Sequence, residues 1–439
     1  MSCNWRRATQ WNFKRYVTGL QHTNARKLHV VVGMSGGVDS SVAALLLKQQ
    51  GHKVTGVYMK NWDSSDEVGT QCCPQDQDLQ DVQLVCEQLG IPLRTTNFVS
   101  SYWNTVFAPC LEGFEAGLTP NPDILCNREI KFKEFINFAE TLQADVVATG
   151  HYALLKKAKA DGLTNEYPQL YVGVDPHKDQ SYFLSQVPGS AFSKVLFPLG
   201  SYRKKEVREI AKRHHLHTAL KRDSVGLCFI GKRHFGPFIS QYIAPKEGFY
   251  HDVDRLLMPK GHKCFASCTV GQRASLSGMD AKYFIVGKRK VDGTIFIARG
   301  TRHPALFSNY CFVSAKHFNW IGTEPPKLQE NGAAKSITCH YRARYRQDPG
   351  RCLVSVVSEA KAVCESSSFL EVPSETTRSE QYLRIDLEFP QRAVTPGQTL
   401  ALYGDDGLCY GGGPVEIVGK TFHELGRSIS PEASDWHSS

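Results

Sequence analysis

Acid is missing from the first 38 residues, and Asp39 is the first carboxylate in a chain of 439. Ahead of it stand Arg6, Arg7, Lys14, Arg15, Arg26 and Lys27, interleaved with Trp5, Trp11, Phe13 and Tyr16. A basic, acid-free leader without an apolar centre excludes a secretory signal and fits a mitochondrial transit peptide over residues 1–27. A disordered tail or a nucleic-acid arm is the bland alternative. No apolar run reaches the length of a bilayer span, so no membrane partner is expected. No unit repeats along the chain, which excludes a solenoid. Cysteine is plentiful at 14 residues, but its spacing lacks a regular framework, and so long a chain needs no disulfide staples. A reducing compartment with a few reactive thiols follows.

Hydrophobic residues make up 41% and charged residues 22%, the composition of an ordinary globular protein. The length exceeds one ordinary core and implies two or three domains. A net charge of +9 is compatible with a polyanionic partner, with tRNA, DNA and an acidic membrane surface all open on charge alone. From Leu28 to about Gly150, strands such as "LHVVVGM", "KVTGVYMK", "PLRTTNFV" and "DVVATGH" alternate with helical stretches such as "SVAALLLKQQ", "DLQDVQLVCEQLG" and "IKFKEFINFAETLQ". That alternation predicts an α/β domain with a parallel sheet covered by helices on both faces. Beyond about Leu227, short alternating runs separated by glycine and proline turns predict two smaller β-rich domains, the last a β-barrel. The expected division is a leader over 1–27, a catalytic domain over 28–226, a central β-rich domain over 227–303, a barrel over 304–420 and a disordered polar tail over 421–439.

The turn after the first strand reads "GMSGGVDS", Gly33 to Ser40. Gly36 and Gly37 let backbone amides approach an anion, and Ser35, Ser40 and Ser41 add hydroxyls. The helix behind the turn presents its positive N-terminal end. Asp39 either joins a Mg²⁺ shell or caps the helix. A Walker loop would place a lysine here, and this one has none.

In that form the loop resembles the PP-loop ATP pyrophosphatases, with an adenine nucleotide α-hydrolase-like sheet. The resemblance implies cleavage of ATP between its α- and β-phosphates. Two further stretches narrow the likeness: "TPNPDILCNREIKF", with Asp123 and Cys126, and "DSVGLCFIGKRHF", with Cys228. With "GVYMKNW", "ATGHY", "DQSYFLSQV" and "CTVGQR", they are similar in order and spacing to the tRNA-specific 2-thiouridylases, from about Leu28 to Pro414.

What the resemblance implies is specific. ATP adenylates the 2-carbonyl oxygen of the wobble uridine, at tRNA position 34. A persulfide on Cys228 delivers sulfur, Cys126 attacks it and a disulfide forms. Asp123 is the acid/base candidate beside the base. ATP is expected against Gly33, Met34, Ser35, Gly36, Gly37, Val38, Asp39 and Ser40, at Met59 and at Gly150, with Mg²⁺. Taken by itself, Met59 reads as core packing. Asn121, Pro122 and Asp123 are expected to flank a flipped base, with Lys178, Asp179 and Gln180 in a loop against tRNA and Arg344 and Tyr345 contacting it from the barrel. The stretch "YRKKEVREIAKRHH" is either a phosphate-binding helix or a solvated face. The family implies tRNAs for lysine, glutamate and glutamine, and a cysteine desulfurase or relay protein as persulfide donor. A monomer is expected.

Alternatives stay open at this point. Asp123, Cys126 and Cys228 could instead ligate an iron–sulfur cluster. A PP-loop ligase acting on a small molecule, or a tRNA-binding protein with a relic loop, would share parts of the pattern. Cys72 and Cys73, and Cys264 and Cys268, form no half of a four-ligand zinc set, no dedicated metal centre is expected, and these cysteines read as structural or incidental. The Cys-Cys-Pro at 72–74, a short segment after "GQR" and an apparent inserted surface loop over Glu365–Arg378 depart from the family pattern.

Overall fold

In a computed structural model of the chain, β-branched "HVVVGM" forms the central strand β1 (His29–Met34) of a parallel sheet. The structure describes residues 27–63, 74–159, 166–223, 233–255, 260–279, 281–322, 328, 336–374 and 378–429. The expected leader, except Lys27, and Cys228 lie outside them. Beside β1 run β2 (Lys53–Lys60), β3 (Leu93–Asn97), β4 (Val146–Ala148) and, after a hairpin of β5 (Ala153–Lys159) and β6 (Glu166–Val172), β7 (Val195–Leu196). The order is β3-β2-β1-β4-β7, with Val30 opposite both Val54 and Val146.

Strand alternation sends Val30, Val32 and Met34 into one buried cluster. There they meet Val42 and Leu45 of α1 (Val38–Gln49), Val82 and Val85 of α2 (Pro74–Leu89), and Val207 of α3 (Lys204–Arg213). Each such fully buried aliphatic side chain stabilises by about 1.5–3 kcal/mol. On the other face Gly33 lies against the Phe135 ring and the Met59 methyl. The sheet therefore has helical cover on both faces, as the alternating pattern predicts.

The expected single helix over "IKFKEFINFAETLQ" is different in detail. Cys126–Glu134 is wound as a π-helix, Phe132 leaves helical geometry at φ −116° and ψ 20°, and α-helix resumes at Phe135–Thr141. Such bulges insert a residue into the ladder and concentrate at functional sites.

The chain forms two units. The first takes residues up to Val106, Asp123–Phe229 and Gly404–Cys409, and the second takes Phe107–Pro122, Ile230–Tyr403 and the chain from Tyr410. Within the first unit, Val172 N donates to Gly407 O at 3.0 Å, tying the 404–409 segment to the β5–β6 hairpin. Within the second, Ala108–Glu115 is helical and Phe114 packs edge-on against Phe235 at 5.1 Å.

The second unit holds two sheets. β8 (Gly248–Asp252), β9 (Gly261–His262), β10 (Tyr283–Arg289) and β11 (Thr294–Arg299) are ordered β10-β11-β8-β9 over a core of Tyr250, Phe265, Tyr283, Ile285 and Ile295. The other sheet contains β12 (Phe307–Ser314), β13 (Asn319–Trp320), β14 (Ser336–Arg342), β15 (Gly350–Ser358), β16 (Gln381–Arg392), β17 (Thr399–Tyr403) and β18 (Cys409–Val418). β12, β16, β15, β14, β17 and β18 pair in that order and β12 also pairs with β18, so six strands close an antiparallel barrel. Among the described residues no helix is long and apolar enough to cross a membrane.

Two expectations need correcting in the second unit. The tail does not begin at 421: Phe422 is buried, and the Glu424 carboxylate accepts from Ser367 Oγ, Ser368 N and Thr421 N at 2.7–2.9 Å. The stretch from Glu365 is likewise no free loop, since Ser367 is buried and Phe369 packs on Phe296 at 5.5 Å. Their polar composition suggested solvent; the serines are instead partners for one half-buried acid, Glu424. Residues 375–377 and 430–439 lie outside the description.

Candidate active site

At the carboxyl end of β1 the chain turns through Ser35 and Gly36 into α1. Gly36 has φ +71°, and a Cβ there would lie 2.6 Å from the Asp78 carbonyl oxygen of α2. Gly150, in "ATGHY", approaches the same turn so closely that its Cβ would stand 2.9 Å from Asp39 C and Ser40 N. Only glycine meets both conditions.

Gly37 is the N-cap of α1 and no side chain caps the helix, so its first amides face outward from the turn. Ser40 and Ser41 are buried, and their hydroxyls donate to the Gly37 carbonyl at 3.1 and 2.9 Å. Ser40 Oγ also accepts from Ser35 N at 3.2 Å. Expected as phosphate donors, these two serines instead brace the turn. The exposed Ser35 hydroxyl and the backbone amides form the anion cradle. Met59 sits next to last in β2, near its carboxyl end, half-buried and opposite Thr96 of β3.

Asp39 neither caps the helix nor offers a free carboxylate to a Mg²⁺ shell. Its Oδ1 accepts from Tyr152 Oη at 2.6 Å, and Lys204 Nζ donates to Oδ1 and Oδ2 at 2.8 and 2.7 Å. Burial, then the Asp39 charge, pushes the Tyr152 phenol up, so it remains a donor. Lys204 Nζ also reaches Asp223 Oδ1 at 3.0 Å, where Lys178 at 2.8 Å and Arg208 at 2.5 Å converge. Burial alone would raise Asp223, but hydrogen bonds from Lys178 and Lys204 prevail and hold it below the usual carboxylate range. Lys178, Lys204 and Arg208 thus converge on Asp39 and Asp223 beside the turn, and the Asp175 carboxylate accepts from Lys204 N at 2.8 Å, so cationic groups stand at the turn with their charge matched by carboxylates. Lys204 was not singled out from sequence. It arrives from α3, 165 positions after Asp39, inside the stretch "YRKKEVREIAKRHH" that read either as a phosphate-binding helix or as a solvated face.

The expected RNA loop is partly self-directed. The buried Asp179 carboxylate accepts from Gly173 N at 2.9 Å, Ser181 N at 3.1 Å and Ser181 Oγ at 2.9 Å. Gln180 Oε1 accepts from Tyr152 N at 3.0 Å. Both side chains build the loop, which corrects the expectation that they face tRNA; Lys178 alone of the three is aimed outward, onto Asp223. In the second unit Arg344 Nη2 donates to the carbonyls of Arg392 and Ala393 at 2.9 and 2.7 Å, so its guanidinium anchors the barrel. The expected RNA-facing guanidinium is thereby corrected to a structural one, while Tyr345 is half-buried.

Asn121 and Pro122 lead into a helical turn, Pro122–Leu125, and Asp123 lies in it three residues before Cys126. Burial raises the Asp123 carboxyl above its ordinary range, with the Lys131 charge acting the other way. Cys126 is buried at the start of the π-helix. Nearby, buried His151 is kept neutral by its burial and by Lys131, and shares a 2.7 Å hydrogen bond with Thr149.

One cluster with metal-ligand character lies in the second unit, where Asp254, His303 and His423 converge. His303 Nδ1 accepts from Ala305 N at 3.1 Å, leaving Nε2 to carry the proton toward Asp254 at 3.0 Å. That tautomer makes a hydrogen bond and withholds the lone pair a metal needs.

A glycine turn at the carboxyl end of a parallel strand, with outward amides and cationic side chains, defines a PP-loop nucleotide-binding domain. Residues 28–232 match the family described as the tRNA methyl transferase HUP domain, and residues 370–415 the aminomethyltransferase beta-barrel domain. The chain is 41% identical over 405 residues to the tRNA-specific 2-thiouridylase MnmA of Oceanobacillus iheyensis, covering 92% of this chain and 98% of that one. Its likeness to the protein of that name from Pseudomonas aeruginosa is 41% over 399 residues, covering 90% and 96%. For Protochlamydia amoebophila the identity is 40% over 405 residues, covering 91% and 96%. The chain belongs to the tRNA-specific 2-thiouridylase family.

Proposed function

We propose that this chain replaces the 2-oxygen of the tRNA wobble uridine with sulfur, using ATP. The observation that carries the reading is the Ser35–Ser40 turn, whose amides suit a pyrophosphate while no loop lysine stands over a γ-phosphate. In this reading the uridine O2 attacks the α-phosphorus and pyrophosphate leaves. The terminal sulfur of a Cys228 persulfide adds to C2. Cys126 then attacks Cys228 Sγ, the sulfur–sulfur bond breaks and AMP departs with the oxygen. The product is 2-thiouridine and a Cys126–Cys228 disulfide, which two electrons from an external thiol reset. A carboxyl raised by burial, Asp123, suits proton transfer at the base better than ligation of an iron–sulfur cluster, which favours the ionised form. Magnesium enters only as the counter-ion of ATP, since Asp39 is engaged.

The donor of the persulfide is of the cysteine-desulfurase or relay class, and tRNAs for lysine, glutamate and glutamine are the substrates. Mitochondrial import by residues 1–27 is part of the proposal; the family match beginning at residue 28 supports a leader separate from the enzyme body. Cys126→Ala and Cys228→Ala should each abolish 2-thiouridine in a nucleoside mass assay, while Cys228→Ala should still release pyrophosphate with tRNA. Thiolation at the normal rate by either variant sinks the scheme.

A further inference from the structure

Two cysteines outside this chemistry meet in the second unit. Cys268 N donates to Cys264 O at 3.0 Å and Ser267 N to the same oxygen at 3.1 Å, so the pair spans one helical turn. Helix geometry sets their Cα atoms about 6 Å apart, inside the range that a disulfide bridges. Their sulfurs are already 3.1 Å apart, with the Cys268 thiol donating to Cys264 Sγ. Both residues are half-buried, so small reagents can reach them.

The surroundings separate the two thiols chemically. The Cys268 hydrogen bond favours Cys264 as thiolate against the opposing effect of burial, with Tyr250 adding to it. Tyr250 Oη is 3.4 Å from Cys264 Sγ. His262 is buried beside Tyr250, and neither of its ring nitrogens is aligned for a hydrogen bond. Cys268 is pushed the other way by its donation to Cys264 and by burial. Lys288 is buried below the pair, its Nζ donating to Cys268 O at 2.7 Å and Phe265 O at 3.3 Å. Burial draws that amine down to about 8, with the charges of the two sulfurs acting to raise it.

We propose that Cys264 and Cys268 are a reactive dithiol site whose substrate class is low-molecular-weight disulfides, with Cys264 attacking and Cys268 resolving. The Cys264 thiolate attacks one sulfur of the disulfide, that bond breaks and one thiolate leaves, giving a mixed disulfide at Cys264. Cys268 then loses its proton to solvent, attacks Cys264 Sγ and expels the second thiolate. Two electrons pass from the cysteine pair to the reagent, which leaves as two thiols. The site is independent of the thiolation reading, and it departs from the expectation that these cysteines are structural or incidental.

The test uses the full, reduced chain with iodoacetamide and glutathione disulfide, followed by peptide mass mapping. At about pH 5.5 an ordinary thiol is only about one part in a thousand thiolate, and the lower nucleophilicity of an acidic thiolate offsets part of its advantage. Cys264 should therefore alkylate at least about tenfold faster than the exposed Cys364. Glutathione disulfide should close the 264–268 bridge in the wild type, stop at a glutathione adduct on Cys264 in Cys268→Ser, and leave Cys268 unmodified in Cys264→Ser. Equal alkylation of Cys264 and Cys364 in the wild type overturns the proposal even if a variant fails to fold. So does a bridge that is absent from the wild type after treatment.

Discussion

Lys204 is where the absence of a loop lysine becomes testable. Its Nζ bonds both Asp39 oxygens at 2.7–2.8 Å and Asp223 at 3.0 Å, and its side chain is only 12% exposed. Lys204→Met keeps the stem and removes the charge. A hydrogen bond between charged groups contributes about 1.5–3 kcal/mol, and the two carboxylates are about a third exposed, so water replaces part of what is lost. About 2 kcal/mol is the working value, which is roughly 30-fold in an equilibrium or rate ratio. If the ammonium turns from Asp39 toward the nucleotide phosphates, kcat/KM for ATP in tRNA-dependent pyrophosphate release should fall about 30-fold. A loss of that size in stability would lower the melting temperature by roughly 4–8 °C for a unit of this length. Lys204→Arg should recover part of both. The two readouts separate the roles: a lower melting temperature with kcat/KM for ATP within threefold of wild type refutes the phosphate role and leaves a structural ion pair. No change in either refutes the energetic argument itself.

Asp123→Asn tests the buried carboxyl. Because its folded value is raised, ionisation costs more in the folded chain than in the unfolded one; the cost is absent below the unfolded value, grows through the folded value and is constant above it. The variant should melt above wild type at neutral pH, with the gap closing toward about pH 4, while thiolation falls roughly a hundredfold; a variant that melts lower at neutral pH contradicts this. Gly36→Ala forces a side chain into positive φ against Asp78 O, and Gly150→Ala drives one into Asp39 and Ser40, so each should cost about 1–3 kcal/mol and weaken ATP binding in calorimetry. ATP binding at wild-type strength in both would mean the turn is not the nucleotide site. Removing residues 1–27 should leave thiolation by the purified chain unchanged and abolish uptake by isolated mitochondria; normal uptake would assign the leader another role.

The sheet, the turn and the barrel were readable because each rests on local signals. β1 is a run of buried valines, the turn needs its glycines, and the barrel strands alternate. What escaped depends on distance in sequence. Asp39 was read as a helix cap or metal ligand because its neighbours allow either, whereas Lys204 and Tyr152, which hold it, come from 165 and 113 positions away. Ser40 and Ser41 looked like ligand donors, but a hydroxyl one turn into a helix can return to a backbone carbonyl, and both do. Asp179, Gln180 and Arg344 are polar residues in loops, and composition alone does not reveal that their partners are nearby backbone groups. The sulfurs of Cys264 and Cys268 are separated by one turn, a spacing too common to stand out until Tyr250 and Lys288 are seen around it.

The interleaving of the two units has a practical consequence. The chain passes between them after residues 106, 122, 229, 403 and 409, five times in all. No single cut yields an independent ATP-binding piece. A fragment ending at 229 would carry Ala108–Glu115 stripped of Phe235, and would lose Gly407, the acceptor for Val172. Gene fusions, split reporters and limited proteolysis all presuppose a junction that can be opened once. Here one nick leaves segments of both units on each fragment, so the polypeptide should behave as an indivisible cassette in inheritance and engineering alike.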